Sequence, residues 1–385
     1  MTAAERLEGL GAFIAQNEGF WRPRPFVGDA LPWASEFPAL AAWAKALPEA
    51  DVERLQEGNL DSGGVPDVLR ALAREARSLC DVPIASTPSP RLTRRPRRVR
   101  GRKWEQVRRF GDAALSLPRP TRWVEWCAGK SHLGRAVSEV SGVGLTALER
   151  DPALCEAGRR TGDHDIRYVA IDVHDPNVLD WIPPGAALLG LHACGDLSDA
   201  LVRASVARNA SLLAAPCCPH RNPGEYRPMS TVGAAQSLGL DRPALLLAVA
   251  GEHVGSGREL RLRRRGLTWR TAFSSLVGDG YYSLPSVPDS ELAGSFANFA
   301  ARWAKREGLT LANTFDEEAV LRSAADHVRG TRALGLVRAP FRAALELWTV
   351  LDRAAWLEEM GREVHVSRFC PATVTPRNLL LRSEA

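Results

Sequence analysis

Lysine is almost missing from this chain. Only Lys45, Lys103, Lys130 and Lys305 occur among its 385 residues, and arginine supplies the rest of the 50 basic side chains. With so much alanine and leucine beside it, the arginine excess belongs to the composition at large. Where arginines cluster therefore says more than how many there are. The seven cysteines form no even ladder of spacings, which excludes a secreted disulfide framework and points to a reducing compartment. The opening MTAAERLEGLGAF lacks the basic start and apolar block of a signal peptide. No apolar run reaches the length of a membrane span. The expectation is a cytoplasmic protein with no membrane partner, and no internal repeat divides it.

Hydrophobic residues make up 45% and charged residues 25%, enough for a sizeable core in one large domain or two ordinary ones. The formal net charge of +5 tilts the choice of partner toward an anion such as nucleic acid. Residues 1–85 read as an N-terminal helical region, with apolar residues at helical spacing in ALAAWAKAL and DVLRALAREARSL. Residues 86–103 form a basic linker. It holds Arg91, Arg94, Arg95, Arg97, Arg98, Arg100, Arg102 and Lys103 with no acidic residue, and is either a solvated connector or a strip that touches phosphates.

From 104 to 225 short apolar runs (RWVEWC, GLTALE, IRYVAID, ALLGLHAC, SLLAAPCC) alternate with helical stretches. That rhythm implies a parallel sheet with helices on both faces. Residues 226–340 are mainly helical, an insertion carrying a second basic stretch with Arg258, Arg261, Arg263, Arg264, Arg265 and Arg270. Residues 341–385 return two closing strands, EVHVSRFC and NLLLRS, joined by PATVTPR.

The segment VEWCAGKSHLG runs from the first strand into a helix. Gly129, Lys130 and Ser131 match the end of a phosphate-binding G-x-x-x-x-G-K-[ST] loop, but Val124 stands where its first glycine belongs. Bulky residues inside a strand do not turn consecutive N–H groups inward, so a nucleotide triphosphate site is disfavoured. The segment instead resembles the first motif of class I S-adenosylmethionine methyltransferases, an acid followed by a glycine turn and a helix. The family's glycines at 127 and 131 are Cys127 and Ser131 here. The resemblance implies a doubly wound Rossmann-like α/β fold and S-adenosylmethionine as cofactor. It places Glu125, Gly129 and Lys130 at the methionine end, Glu149 at the ribose, Asp172 at the adenine and His192 beside them.

LLGLHACGDLSDALV, LLAAPCCPHRNPGEYRPMS and DRAAWLEEMGREVHVSRFCPATVTPRNLLL, together with the lead-in RKWEQVRRF, resemble the methyltransferase-like protein 25 family over about 100–230 and 340–385. A similar cysteine-rich loop occurs in a tRNA ribose methyltransferase family. The loops after the fourth and fifth strands would face the methyl group. They offer His192 and His220 as bases, Cys217 and Cys218 as pocket walls or nucleophiles, and Asp196 toward substrate. Arg377 and Asn378 either orient the target or hold the neighbouring loop. No N-P-P-Y loop is present, which counts against exocyclic base amines. Cys194, Cys217, Cys218 and His220 are zinc-type residues, but adjacent cysteines lack the usual C-x₂₋₄-C spacing, so no metal is expected. The expected function is methyl transfer to a macromolecule, RNA ahead of a protein side chain. The alternative from another class is a non-catalytic RNA-binding protein that kept the fold.

Overall fold

The computed structural model describes residues 1–56, 60–85, 90–95, 99–161, 165–250, 257–278, 287–311 and 314–385. Arg97 and Arg98 of the basic linker lie outside the described residues. The chain divides into two compact units. The first takes residues 1–16, 76–251 and 341–385, and the second takes 17–75 and 252–340.

The first unit is built on seven strands: β1 (Trp123–Trp126), β2 (Leu145–Glu149), β3 (Ile166–Ala170), β4 (Ala187–Cys194), β5 (Ser211–Cys217), β6 (Val364–Arg368) and β7 (Leu379–Ser383). They are ordered β3-β2-β1-β4-β5-β7-β6. The first five are parallel, and β7 enters antiparallel between β5 and β6. The doubly wound sheet expected from the alternating pattern is present, and every quoted apolar run is a strand in it. Two-sided cover explains the patterns: all four residues of β1 and all seven of β5 are buried. The core between sheet and helices joins Phe110 and Val107 of helix Gly101–Ala114 to Leu133, Leu189, Leu213 and Phe369. Phe110 meets Phe369 edge-on at 5.7 Å.

The sheet order reverses between β1 and β4, so the crevice at their carboxyl ends is where such a fold takes a ligand. The first helix, Ala3–Gln16, packs in this unit as well. Phe13 stacks on Phe341 at 5.1 Å, and Gln236 donates to Leu7 O at 3.0 Å. The second unit is helical and holds its own apolar clusters. One gathers Leu40, Val52, Leu69 and Leu336, the other Trp269, Phe273, Phe299 and Trp303. Among the described residues no helix is long and apolar enough to cross a membrane.

Helix Pro340–Glu359 brings two charged residues into the first unit's interior. Arg353 is 1% exposed and Asp352 is fully buried. Arg353 pairs with Asp199 at 2.7 Å and donates to Ser198 Oγ and Tyr226 Oη, each at 3.0 Å. Asp352 accepts from Tyr226 Oη at 2.8 Å, from the N–H groups of Met229 and Ser230 at 2.8 and 3.0 Å, and from Ser230 Oγ at 2.7 Å. Removing one partner of a buried ion pair strands the other, which typically costs about 3–5 kcal/mol. Arg353→Met is therefore expected to lower the unfolding free energy of the first unit by an amount in that range, read as a lower urea midpoint. An unchanged midpoint would show that the network carries no stability.

Candidate active site at the carboxyl edge of the sheet

The turn after β1 is left-handed at three positions, Cys127 (φ +53), Gly129 (φ +57) and Ser131 (φ +54). The two family glycines are thus replaced without losing the conformation that glycine favours. A non-glycine residue in that region costs roughly 1–2 kcal/mol, so the surroundings must hold it. Ala128 N–H donates to Leu148 O at 2.9 Å, Gly129 N–H to Glu149 Oε2 at 2.8 Å, and Ser131 N–H to Ala128 O at 2.7 Å. Beneath the turn lies Glu125, 6% exposed, whose Oε2 accepts from Ser131 Oγ and from Gly134 N–H. A Cβ at position 134 would stand 2.6 Å from that oxygen, so glycine there lets the helix His132–Ser141 close on the strand. Burial pushes the Glu125 carboxyl up to about 7 despite those two bonds.

Glu149 and Asp172 stand at the ends of β2 and β3. Glu149 also accepts from Asp151 N–H at 3.0 Å. Asp172 is exposed, accepts from His174 N–H at 3.0 Å and has Arg150 3.9 Å away. Lys130 is exposed on the turn. Gly129 has open space where a side chain would begin, so a ligand can lie directly against the backbone there.

At β4 the register with β5 shifts between Leu191 and Cys194, and His192 adopts φ +64. Bulges of this kind re-aim side chains beside active sites. The His192 ring nitrogen Nε2 meets Gln106 Oε1 at 3.0 Å. Burial lowers the His192 pKa, and Lys103, on the same helix as Gln106, lowers it further. The imidazole is thus neutral near pH 7. In the sequence Lys103 reads only as the end of the basic linker, and Gln106 does not stand out; its place in the lead-in RKWEQVRRF, one residue ahead of the apolar Val107, is the available signal.

The shifted register sets Cys194 opposite Cys217, Sγ to Sγ 3.2 Å, and the Sγ atoms of Cys194, Cys217 and Cys218 all lie within 4.8 Å of one another. Hydrogen bonds from Cys194 and Cys217 pull the Cys218 thiol down, whereas its thiol neighbours and burial push Cys217 up. His220 follows in a short turn, with Nδ1 buried and without a hydrogen-bond partner. Asp196 opens helix Asp196–Ala207, with Oδ2 3.5 Å from His174 Nε2. Arg377 and Asn378 face inward: Arg377 pairs with Glu346 at 3.2 Å and donates to Ala248 O and Val249 O. Asn378 is 1% exposed, donates to Cys370 O at 2.7 Å and accepts from Arg368 at 2.8 Å. Of their two expected roles, these contacts are those of loop-holding residues.

A family model described as a methyltransferase domain matches residues 102–222. Among solved structures, an rRNA methylase from Streptococcus thermophilus aligns at 8% identity over 31% of this chain and 74% of its own, with TM-score 0.23. Mitomycin 7-O-methyltransferase aligns at 19% identity over 57% and 62%, with TM-score 0.23. A cyclopropane synthase from Mycobacterium tuberculosis aligns at 12% identity over 90% and 97%, with TM-score 0.26. Overlays this loose place no residue. The matched segment and the sheet order define the class, a methyltransferase of the Rossmann-like type. It is an S-adenosylmethionine-dependent enzyme, and the open backbone at Gly129 beside the Glu149 carboxylate fits that donor.

A carboxyl whose folded pKa is raised stabilises the fold fully below its unfolded value, and that contribution is lost as pH rises through the folded value. For Glu125 the window runs from about 4.5 to about 7. Glu125→Gln removes it. From about pH 5 to about pH 8 the variant is expected to gain on the parent by about 3 kcal/mol in urea unfolding. A constant difference across that range would contradict the buried carboxyl's raised pKa.

Proposed function

We propose that this methyltransferase acts on RNA, and that it belongs with the methyltransferase-like protein 25 family. The observation that carries the RNA reading is the course of the basic segment. Arg94, Arg95 and Arg100 are exposed, and the segment passes directly into helix Gly101–Ala114, whose Gln106 touches His192. A cationic strip therefore leads to the crevice where the sheet order reverses. The strip is anchored: Leu92 and Val99 are buried, and Asp112 accepts from the N–H groups of Arg91 and Leu92, each at 2.9 Å. Arg94, Arg95 and Arg100 stand exposed beside these anchors, which suits a phosphate backbone. The second basic stretch supports the reading less. Arg264 pairs with Glu53 and Glu49, and Arg265 lies over Trp269 at 4.3 Å. The family placement is supported by the Asp352–Arg353 network, which joins three of the resembling segments.

S-adenosylmethionine supplies an activated sulfonium methyl group. In this reading the turn at Gly129 and Lys130 receives its methionine end, with Glu125 holding the turn from beneath. Glu149 accepts from the ribose hydroxyls, and Asp172 borders the adenine. With Gln106 Oε1 accepting from Nε2, His192 keeps Nδ1 free to take a proton from the acceptor. Asp196 stands at the substrate side, while Arg377 and Asn378 keep the adjoining loop in place. A cytoplasmic setting suits seven cysteines that are all unpaired.

Calorimetric titration tests the cofactor assignment: Glu149→Ala is expected to weaken S-adenosylmethionine roughly tenfold or more, the usual cost of losing hydrogen bonds to a charged group. Unchanged affinity would sink the ribose role. Replacing Arg94, Arg95 and Arg100 by Glu is expected to weaken RNA binding at low salt and to flatten its salt dependence, while the cofactor affinity holds. RNA affinity indifferent to those changes would make the segment a connector and return the protein side chain as the target. His192→Ala is expected to lower the methylation rate by about 10²–10⁴ with cofactor affinity intact.

A further inference from the structure

Neighbouring side chains on a strand point to opposite faces, so Cys217 and Cys218 ought to face apart. They do not. Cys218 adopts φ +50, which swings its sulfur back to the side of Cys217. The register shift at His192 brings Cys194 to the same place from β4. Two backbone irregularities in different loops, each in a region that non-glycine residues avoid, thus converge on one cluster of three thiols. Strain of this kind persists where the surroundings over-determine it, and it is commonly stored at functional sites.

A tetrahedral zinc ion holds thiolates at about 2.3 Å, which sets sulfurs about 3.8 Å apart. The three Sγ atoms lie within 4.8 Å of one another, with one pair at 3.2 Å. Only small shifts separate them from that spacing.

We propose that Cys194, Cys217 and Cys218 bind one zinc ion as thiolates. Thiol protons leave to solvent as the Zn–S bonds form. Its role is to lock the ends of β4 and β5 against each other at the substrate side of the crevice. The inference stands apart from the choice of methyl acceptor.

Cobalt(II) titration of the reduced, chelator-treated full chain tests it. One equivalent is expected to produce the visible bands of a tetrahedral site and sulfur-to-cobalt charge transfer, both abolished by one equivalent of zinc. Cys194→Ser and Cys218→Ser are expected to weaken binding at least about a hundredfold, a ligand counting for no less than its supporting shell. Cys80→Ala is expected to leave the visible bands unchanged. Absent charge transfer, or a spectrum that survives both serine variants, overturns the proposal. Should a serine variant fail to fold, the parent chain still decides: zinc is expected to protect Cys194 and Cys218 from iodoacetamide while labelling of Cys127 stays the same with and without it. Equal labelling with and without zinc overturns it. S-adenosylmethionine binding, read separately by calorimetry, reports the cofactor assignment independently.

Discussion

The buried guanidinium of Arg353 is the point from which the carboxyl edge of the sheet is held. It draws together helix Asp196–Ala207, the segment after β5 through Tyr226, and its own helix Pro340–Glu359. Asp352 beside it secures Met229 and Ser230, and Ser230 in turn caps the short helix Thr231–Gln236. A cation so deeply buried persists only where its charge and donors are matched, and here carboxylate, hydroxyls and carbonyl match them. The loops that carry Cys194, Asp196, Cys218 and His220 are therefore fixed from behind by residues that approach no ligand. Ser198 and Asp199, Met229 and Ser230, and Asp352 with Arg353 are three sides of one hydrogen-bonded knot.

A second constraint is conformational. Among the described residues six non-glycine side chains have positive φ, and four of them, Cys127, Ser131, His192 and Cys218, stand at the carboxyl edge of β1, β4 and β5. Three of them have a supporting contact elsewhere in the chain. Ser131 is bonded to Glu125, His192 meets Gln106, and Cys218 lies against two further thiols. The edge is strained where chemistry is expected, and the rest of the sheet supplies the rigidity that keeps it so.

Charge tells a different story from composition. Arginine is abundant in two stretches, yet their surroundings differ. The stretch before helix Gly101–Ala114 shows exposed cations on an anchored backbone, whereas Arg264 and Arg265 are engaged within their own unit. Similar runs of one residue type therefore carry different weight as nucleic-acid contacts. Burial and pairing decide which cations remain for a partner.

Strand and helix positions were legible in the sequence because they depend on local periodicity. The runs RWVEWC, GLTALE and IRYVAID each place an acid at or just beyond a strand's carboxyl end, and a parallel doubly wound sheet brings those ends to one edge. Glu125, Glu149 and Asp172 needed nothing more. Other features depend on contacts between residues far apart in the chain, and no local pattern encodes them. Gln106 reaches His192 across 86 positions, and Arg353 reaches Ser198 across 155. Arg377 and Asn378 pointed equally to a target or a loop until their buried partners were seen. The adjacency of Cys217 and Cys218, without the usual C-x₂₋₄-C spacing, argued against a common metal, and an ordinary strand separates neighbouring side chains. The left-handed turn at Cys218 and the register shift after Leu191 reverse that separation, and only the packed sheet, with its loops fixed from behind, makes both conformations stable.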